Sequence, residues 1–463
     1  MNASILKMTD KSVFLTLLVL LSFSSLRGQD KVLEKPNILL IITDQHHVDA
    51  MSCVGNTYLK TPNIDKLAGD GVLFSNNYVT QPLCLPFRTS LHTGRYPHQI
   101  GTIRNGLKIK EGNAFLGNLV KSAGYTSDYI GKWHVGATEV AAGYNYEESK
   151  KSTDTKRATA AEAFLLKKRE QPFFLTVSFM NPHNICELAR ADAIGTNLPD
   201  GPIELAPDDL SKLPPLPDNF EIPKNEPTVL REIQGDTHFH YPTQEWDEKT
   251  WRQYLWGYYR LVEKVDAEIG KVLAALKNGG YEDNTIVIFT SDHGEGVAMH
   301  HWNQKQILYD ESVKTPFIIQ WKGETKKRVY SELVSNALDI PVTILDVIGT
   351  DIPKEMEGKS LKPILEGKSV KPRKYVVSET MFAKGDKELG ATGRMIRTKK
   401  YKYCIYDNGE KREQLFDMKN DPGEMKNLVY EKGFEKILIK HRKLIGKWAK
   451  ETNDKEFPYY KMN

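Results

Sequence analysis

Four short apolar runs, each closed by polar residues, narrow the folds open to this chain. Asn37-Ile38-Leu39-Leu40-Ile41-Ile42 leads into Thr43-Asp44-Gln45, and Phe173-Phe174-Leu175-Thr176-Val177-Ser178-Phe179 leads into Asn181-Pro182-His183. Thr285-Ile286-Val287-Ile288-Phe289-Thr290 leads into Ser291-Asp292-His293, and Thr315-Pro316-Phe317-Ile318-Ile319-Gln320 follows. A continuous β-branched run, rather than an alternating one, predicts a strand buried on both faces of a mostly parallel sheet. Helical stretches separate these runs. One opens at Thr61-Pro62, with Thr61 as N-cap and Pro62 in the first turn. A long one spans Trp251 to Lys277, where Gly279-Gly280 stops it. Strands alternating with helices indicate an α/β fold: a large, mostly parallel central sheet flanked by helices.

Past Gly358-Lys359-Ser360-Leu361 the pattern changes. Tyr375 to Thr380, Gly393 to Thr398 and Lys400 to Tyr406 read as short alternating strands, followed by a helix near Phe434–Trp448. This predicts a smaller antiparallel sheet with a terminal helix over residues 369–463, after a larger domain over 29–368. The proline-rich stretch from Pro199 to Pro242 is too long for a plain connector, and is read as loops lining or covering a site.

Polar residues directly after buried strands stand where α/β folds hold ligands. Asp44-Gln45 and Asp292-His293 offer carboxylate and amide oxygens and one imidazole, a set suited to a hard cation. An isolated aspartate at a strand end is commonly a cap, but two such pairs after two buried strands point to a site. Lys132 and His134 lie two apart, so in an extended chain both project to one side. In Cys84-Leu85-Pro86-Phe87-Arg88 the proline suits a first helical turn, so the cysteine sits at a helix N-terminus with Arg88 one turn below on the same face. Taken alone, that motif is better read as a buried structural cysteine near a surface arginine.

It does not stand alone. Cys84-x-Pro86-x-Arg88 followed by Thr93-Gly94-Arg95 resembles the signature of the type I sulfatases of the alkaline phosphatase superfamily. Tyr96-Pro97-His98-Gln99-Ile100-Gly101 and the late Glu413-Gln414-Leu415-Phe416-Asp417 and Asp421-Pro422-Gly423-Glu424 stretches are similar to the same family, so the likeness runs from Pro36 to about Leu428. The resemblance implies that Cys84 is oxidised to formylglycine, the catalytic nucleophile. It implies metal ligation by Asp44, Gln45, Asp292, His293 and the modified Cys84, with calcium as the ion. Arg88 matches the arginine holding the formylglycine hydrate, Lys132 and Lys305 the lysines binding sulfate, His134 the histidine assisting collapse of the sulfated intermediate, and His183 a general acid. Two positions depart from the family pattern: Gln45 stands where many members have Asp, and His293 where many have Asn. Glutamine lowers the negative charge of the site, and imidazole is an unusual calcium ligand.

The formal charge of +4 suits an acidic substrate without a basic run of the nucleic-acid-binding kind. Lys7 and Lys11, the apolar stretch Val13–Leu21 and small residues up to Gly28 read as a secretory signal peptide over residues 1–28. The apolar run is short for a membrane span, so a secreted or periplasmic protein without a stable membrane anchor is expected. Four cysteines, Cys53, Cys84, Cys186 and Cys404, are too few for a disulfide scaffold. The expected activity is hydrolysis of sulfate esters on a carbohydrate, with a formylglycine-generating maturation enzyme as a partner. N-sulfate cleavage falls within the same family. The competing readings are a phosphate or phosphonate ester hydrolase and a non-catalytic glycan-binding protein. His98, His300, His301, Glu187, Arg190, His238, His240 and a loop over Ser378–Gly393 are weaker substrate-side candidates.

Overall fold

In a computed structural model, which describes residues 35–135, 138–147, 152–190, 198–235, 243, 245–384 and 387–457, the first apolar run becomes strand β1 (Asn37–Asp44), and every residue of it is buried. The signal-peptide stretch and His238 and His240 lie outside the described residues. Alternation along β1 divides its side chains between two cores. Ile38, Leu40 and Ile42 join one hydrophobic cluster, and Leu39 and Ile41 join another on the opposite face. The same split holds in β6 (Thr285–Ser291), with Ile286 and Ile288 on one side and Val287 and Phe289 on the other. Two covered faces explain why these runs carry no polar alternation.

The remaining strands of this sheet are β2 (Val72–Phe74), β3 (Thr126–Gly131), β4 (Asn145–Glu147), β5 (Phe173–Pro182), β7 (Phe317–Trp321) and β8 (Arg328–Tyr330). The order is β4-β3-β5-β1-β6-β7-β2-β8. Pairing is parallel from β4 through β6, whereas β7 runs antiparallel to both β6 and β2. One face is covered by the long helix Glu248–Asn278, which presents Val265, Ile269, Val272 and Leu276 to it. The helices Cys84–Thr93 and Asn336–Ile348 cover the other, through Phe87, Leu91, Ile340 and Ile344. The proline-rich stretch is not all loop: Thr228–Gly235 forms a helix within it.

The second sheet is antiparallel, in the order β12-β11-β10-β9, from β9 (Tyr375–Lys384), β10 (Lys387–Thr398), β11 (Tyr401–Tyr406) and β12 (Glu413–Asp417). The terminal helix Glu435–Thr452 follows. Residues 378–384 and 387–393, expected as a loop, therefore belong to strands β9 and β10, and β9 is tied to the larger sheet's connections. Glu379 N–H donates to the Thr80 carbonyl at 2.7 Å, and the Thr380 hydroxyl donates to the Gln306 carbonyl at 2.5 Å. These bonds brace the segments that carry Cys84 and Lys305. Pro36–Asn463 forms one compact unit. No helix among the described residues is long and apolar enough to cross a membrane.

Candidate active site

Strands β3, β5, β1 and β6 are neighbours and run parallel, so their carboxyl ends share one edge. Lys132 leaves β3, His183 leaves β5, Asp44 and Gln45 end β1, and Asp292 and His293 follow β6. Gly131 permits the exit from β3: its φ is +107°, and a Cβ there would meet the Ser178 carbonyl oxygen at 2.1 Å. The helix Cys84–Thr93 begins at this edge with Pro86 in its first turn, and all ten residues are buried. It ends at Gly94, in the left-handed conformation with φ 67°.

Arg88 ties the two aspartates together from beneath. Its Nη2 donates to Asp44 Oδ2 at 3.1 Å and Asp292 Oδ2 at 3.0 Å, and Nε to Asp292 Oδ2 at 3.1 Å. Nη1 donates to the Lys132 carbonyl at 2.7 Å and the Ser178 hydroxyl at 2.8 Å. Lys132 Nζ lies 2.5 Å from Asp44 Oδ2. Both Oδ2 atoms are thus held by cations, which leaves the Oδ1 atoms facing inward. Asp44 Oδ1 lies 3.8 Å from Cys84 Sγ and 3.8 Å from His293 Nε2, and Asp292 Oδ1 lies 3.5 Å from that Nε2. Ligand atoms of Asp44, Cys84, Asp292 and His293 all fall within 4.8 Å of one another and are buried. His293 Nδ1 meets the Gly294 carbonyl at 2.9 Å, so that nitrogen carries the proton in the neutral ring and Nε2 turns its lone pair to the centre. Carboxylate oxygens converging in a buried space with a thiol and an imidazole lone pair form a donor set that a divalent cation fits.

Charge at this edge is unevenly distributed. Burial alone would raise Asp44, but Lys132, His183, Lys305 and Arg88 hold its carboxyl well below the usual range. Asp292 moves the other way, pushed up to about 7 by burial and the Asp44 charge against the pull of His293 and Arg88. Burial and Asp44 oppose ionisation of Cys84, yet Lys132, Lys305 and His293 outweigh them and hold the thiol well below its ordinary value. Lys305 Nζ lies 3.3 Å from Cys84 Sγ, and His293 Nε2 lies 3.2 Å from it. His183 is partly exposed, 4.0 Å from Asp44 Oδ1, and burial together with Lys132 and Lys305 keeps it neutral.

Gln45 leaves β1 in the left-handed conformation, with φ 68°. Its Oε1 accepts from Lys305 Nζ at 2.8 Å, and its Nε2 donates to Glu295 Oε2 at 2.5 Å. His134 departs from the alternation read in the sequence. The strand ends at Gly131 and His134 takes φ 48°, so Lys132 is buried while His134 is exposed. His98 is held by Glu379 and the Thr452 carbonyl, and His300 by Glu311 and the Gly423 carbonyl. Both are buried hydrogen-bonded histidines away from the cluster of donors. His301 packs on the rings of Phe220 and Trp251, and Glu187 and Arg190 form an ion pair at 2.7 Å. Sequence reasoning missed Glu295, Tyr129 and Ser178. Glu295 closes Asp292-His293-Gly294-Glu295, where an acidic residue beside a candidate ligand pair was the available signal.

The family model for sulfatases matches residues 36–350. The chain belongs to the sulfatase family. It is a sulfuric ester hydrolase. The model for the C-terminal region of N-sulphoglucosamine sulphohydrolase matches residues 298–451, across the small sheet. The Δ4,5-hexuronate-2-O-sulfatase of Bacteroides thetaiotaomicron is 34% identical over 91% of this chain and 90% of its own length. An N-acetylglucosamine-6-O-sulfatase of the same organism is 26% identical over 98% and 93%. Among solved structures, a 2-O GAG sulfatase superposes with a TM-score of 0.80 at 32% identity, covering 91% of this chain and 93% of that one. A phosphonate monoester hydrolase of Agrobacterium radiobacter shares the fold, with a TM-score of 0.75 at 22% identity over 90% and 96%. Sulfatases and phosphonate hydrolases thus use one architecture, and the fold alone does not choose between anions.

Proposed function

We propose that this sulfatase removes sulfate from a sulfated glycan outside the cytoplasm, after a maturation enzyme has converted Cys84 to formylglycine. The observation that carries the reading is the convergence of Lys132, Lys305 and His293 on Cys84 Sγ, within 4.0, 3.3 and 3.2 Å. The two ammonium groups at that atom suit an anion arriving there, while the His293 Nε2 lone pair faces the cation site. The oxidised side chain supplies a hydrated aldehyde, whose hydroxyl is the nucleophile and whose second hydroxyl allows the aldehyde to be restored. Calcium, held by Asp44, Asp292, His293, Gln45 Oε1 and residue 84, would supply Lewis-acid polarisation of a sulfuryl oxygen.

The chain's own groups do the rest. Lys132 and Lys305 neutralise the sulfuryl oxygens as charge develops on them. Arg88 fixes both aspartates by their Oδ2 atoms, so that residue 84 and the carboxylates keep their spacing. His183, neutral in the free site, acquires its proton when the anionic substrate offsets the nearby lysines, and passes it to the departing alcohol oxygen. His134 is exposed and off the side that Lys132 takes, so its assignment to proton removal during release of sulfate rests on the family likeness alone.

The 34% identical relative directs the first substrate choice to 2-O-sulfated unsaturated uronates, and the C-terminal family match makes N-sulfated glucosamine the comparator. The test has two readouts. Mass analysis of the tryptic peptide Leu67–Arg88 from the native host should show the aldehyde or its hydrate at position 84. The matured enzyme should release sulfate from these sugars, and C84A should release none while keeping its circular dichroism. An intact thiol in an active enzyme, turnover by C84A, or faster cleavage of phosphonate monoesters than of any sulfate ester would sink the reading.

A further inference from the structure

Gln45 places a neutral amide directly after Asp44 at the end of β1, and the structure shows what surrounds it. A glutamine amide has nearly the same shape in either orientation, so its neighbours decide which end faces inward. Cys186 Sγ lies 3.6 Å from Nε2 and 3.9 Å from Oε1 and does not choose, but the two charged neighbours agree. Lys305, a donor, meets Oε1 at 2.8 Å, and Glu295, an acceptor, meets Nε2 at 2.5 Å. Reversing the amide would set N–H groups against an ammonium and an oxygen against a carboxylate. The main chain of Gln45 is already fixed: its N–H donates to Asp292 Oδ1 at 3.1 Å, and its carbonyl accepts from Tyr258 Oη at 2.7 Å. Amide orientation is the freedom left to this residue.

Glu295 is equally constrained. It is fully buried, and its Oε1 accepts from Tyr254 Oη at 2.7 Å and from the Gln304 N–H at 2.6 Å. Its backbone N–H donates to the Glu311 carbonyl at 3.0 Å. Among the described residues Glu295 forms no salt bridge; the partners found for its carboxylate are neutral donors. A buried carboxylate without a counter-cation is costly unless a positive charge nearby gives it a reason to be there.

We propose that Glu295 is a positioning residue of this centre: it clamps the Gln45 amide so that Oε1 faces the cation site, and it supplies from one layer out the negative charge that glutamine lacks. This rests on the reading that the Asp44, Cys84, Asp292 and His293 cluster holds a divalent cation. Gly294 helps hold Glu295 in place: a Cβ there would meet the Glu311 carbonyl oxygen at 1.9 Å, so this close backbone approach requires glycine.

The test is a calcium titration of the full mature chain, read by calorimetry and by the calcium-dependent rise in Tm, with residue 84 in the same chemical state in every variant. E295Q should weaken calcium binding about 10- to 100-fold, the range for loss of an outer partner of a metal ligand, with the Tm in chelator near that of the parent. Q45E sets two carboxylates against each other and should also bind weakly. The exchange Q45E/E295Q reverses the hydrogen bond and keeps the charge, and should restore binding to within about threefold of the parent. Parent-like binding by E295Q, or a double variant no better than the weaker single one, overturns the proposal. So does a parent protein that binds no calcium. Where E295Q alone fails to fold, the exchanged pair decides: a folded, calcium-binding double variant supports the clamp, and an unfolded or non-binding one overturns it. A parent that binds calcium and obeys this cycle, yet hydrolyses neither O- nor N-sulfate, removes the functional reading and leaves the clamp standing.

Discussion

Lys402, on β11, and Lys305, at the carboxyl edge of the large sheet, are both buried lysines, and they are neutralised in opposite ways. Lys402 Nζ sits between two carboxylates, Asp310 Oδ1 and Glu424 Oε1, each at 2.8 Å. The Asp310 backbone N–H donates to the other oxygen of Glu424 at 2.6 Å, so the group is closed upon itself. Lys305 instead meets an amide oxygen and a sulfur, the groups of Gln45 and Cys84. Burial works against both cations. Asp310 and Glu424 overcome it for Lys402, and chiefly Cys84 and Asp44 for Lys305, so both stay protonated. The first lysine spends its charge joining the small sheet to loops of the larger one. The second keeps its charge directed at the atom where chemistry is expected. Burial of a charge therefore does not mark function. What marks it is a charge whose direct contacts leave part of its field for a ligand.

Variants at the two lysines should separate those roles. K402M leaves the buried Glu424 and the partly buried Asp310 without their shared cation, and should cost about 3–5 kcal/mol of unfolding free energy in urea titrations. The surviving folded fraction should keep the parent KM. A loss of less than about 1 kcal/mol would remove the contrast from the structural side. K305M should lower kcat/KM for sulfate release about 10²–10³-fold, the size of effect seen when one preorganised charge donor is removed, with little change in Tm. A Tm fall as large as that of K402M would show that the two lysines serve the same purpose.

A smaller effect concerns the neutral groups supporting the centre. His92, in the last turn of the Cys84 helix, hydrogen-bonds Tyr144 at 3.0 Å, and burial and Arg88 lower it to about 3. His46, beside Gln45, is lowered by burial to about 4. Unfolded, each takes up a proton as pH falls through about 6.5, while the native protein stays unprotonated until near those lowered values. Their contribution is complete above pH 6.5 and is lost as pH falls below it. Each adds a slope of about 1.4 kcal/mol per pH unit. In urea titrations between pH 7 and 5, H92F should lower the slope of stability against pH by one histidine's share relative to the parent, whose slope also carries the opposing titration of Asp292. An unchanged slope would mean that His92 titrates alike in both states.

Much of the site was legible because its residues follow features that sequence reports directly. Buried runs such as Ile38–Ile42 identify parallel strands, and the polar residues after them must lie at the carboxyl edge. Cys84-x-Pro86-x-Arg88 is local, so its helix start could be read without the fold. Three-residue strands such as β2 and β8 were not legible, because so few residues carry no periodicity. The antiparallel direction of β7 was equally hidden, since a strand covered on both faces reads alike in either direction. His134 was assigned the side of Lys132 by strand alternation, and a left-handed backbone at that residue removed it from that side.

Sequence by itself determined the fold class, the strand ends that carry Asp44, Asp292 and His183, and the helix start at Cys84. Those depend on hydrophobic period and short motifs, which are local. Tertiary structure alone decided which oxygen of each aspartate faces inward, that Lys305 joins Cys84 across 221 positions of sequence, and that Glu295 stands behind Gln45 across 250. Hydrogen-bond direction and charge compensation depend on distances between segments remote in sequence, and only the packed chain fixes those distances.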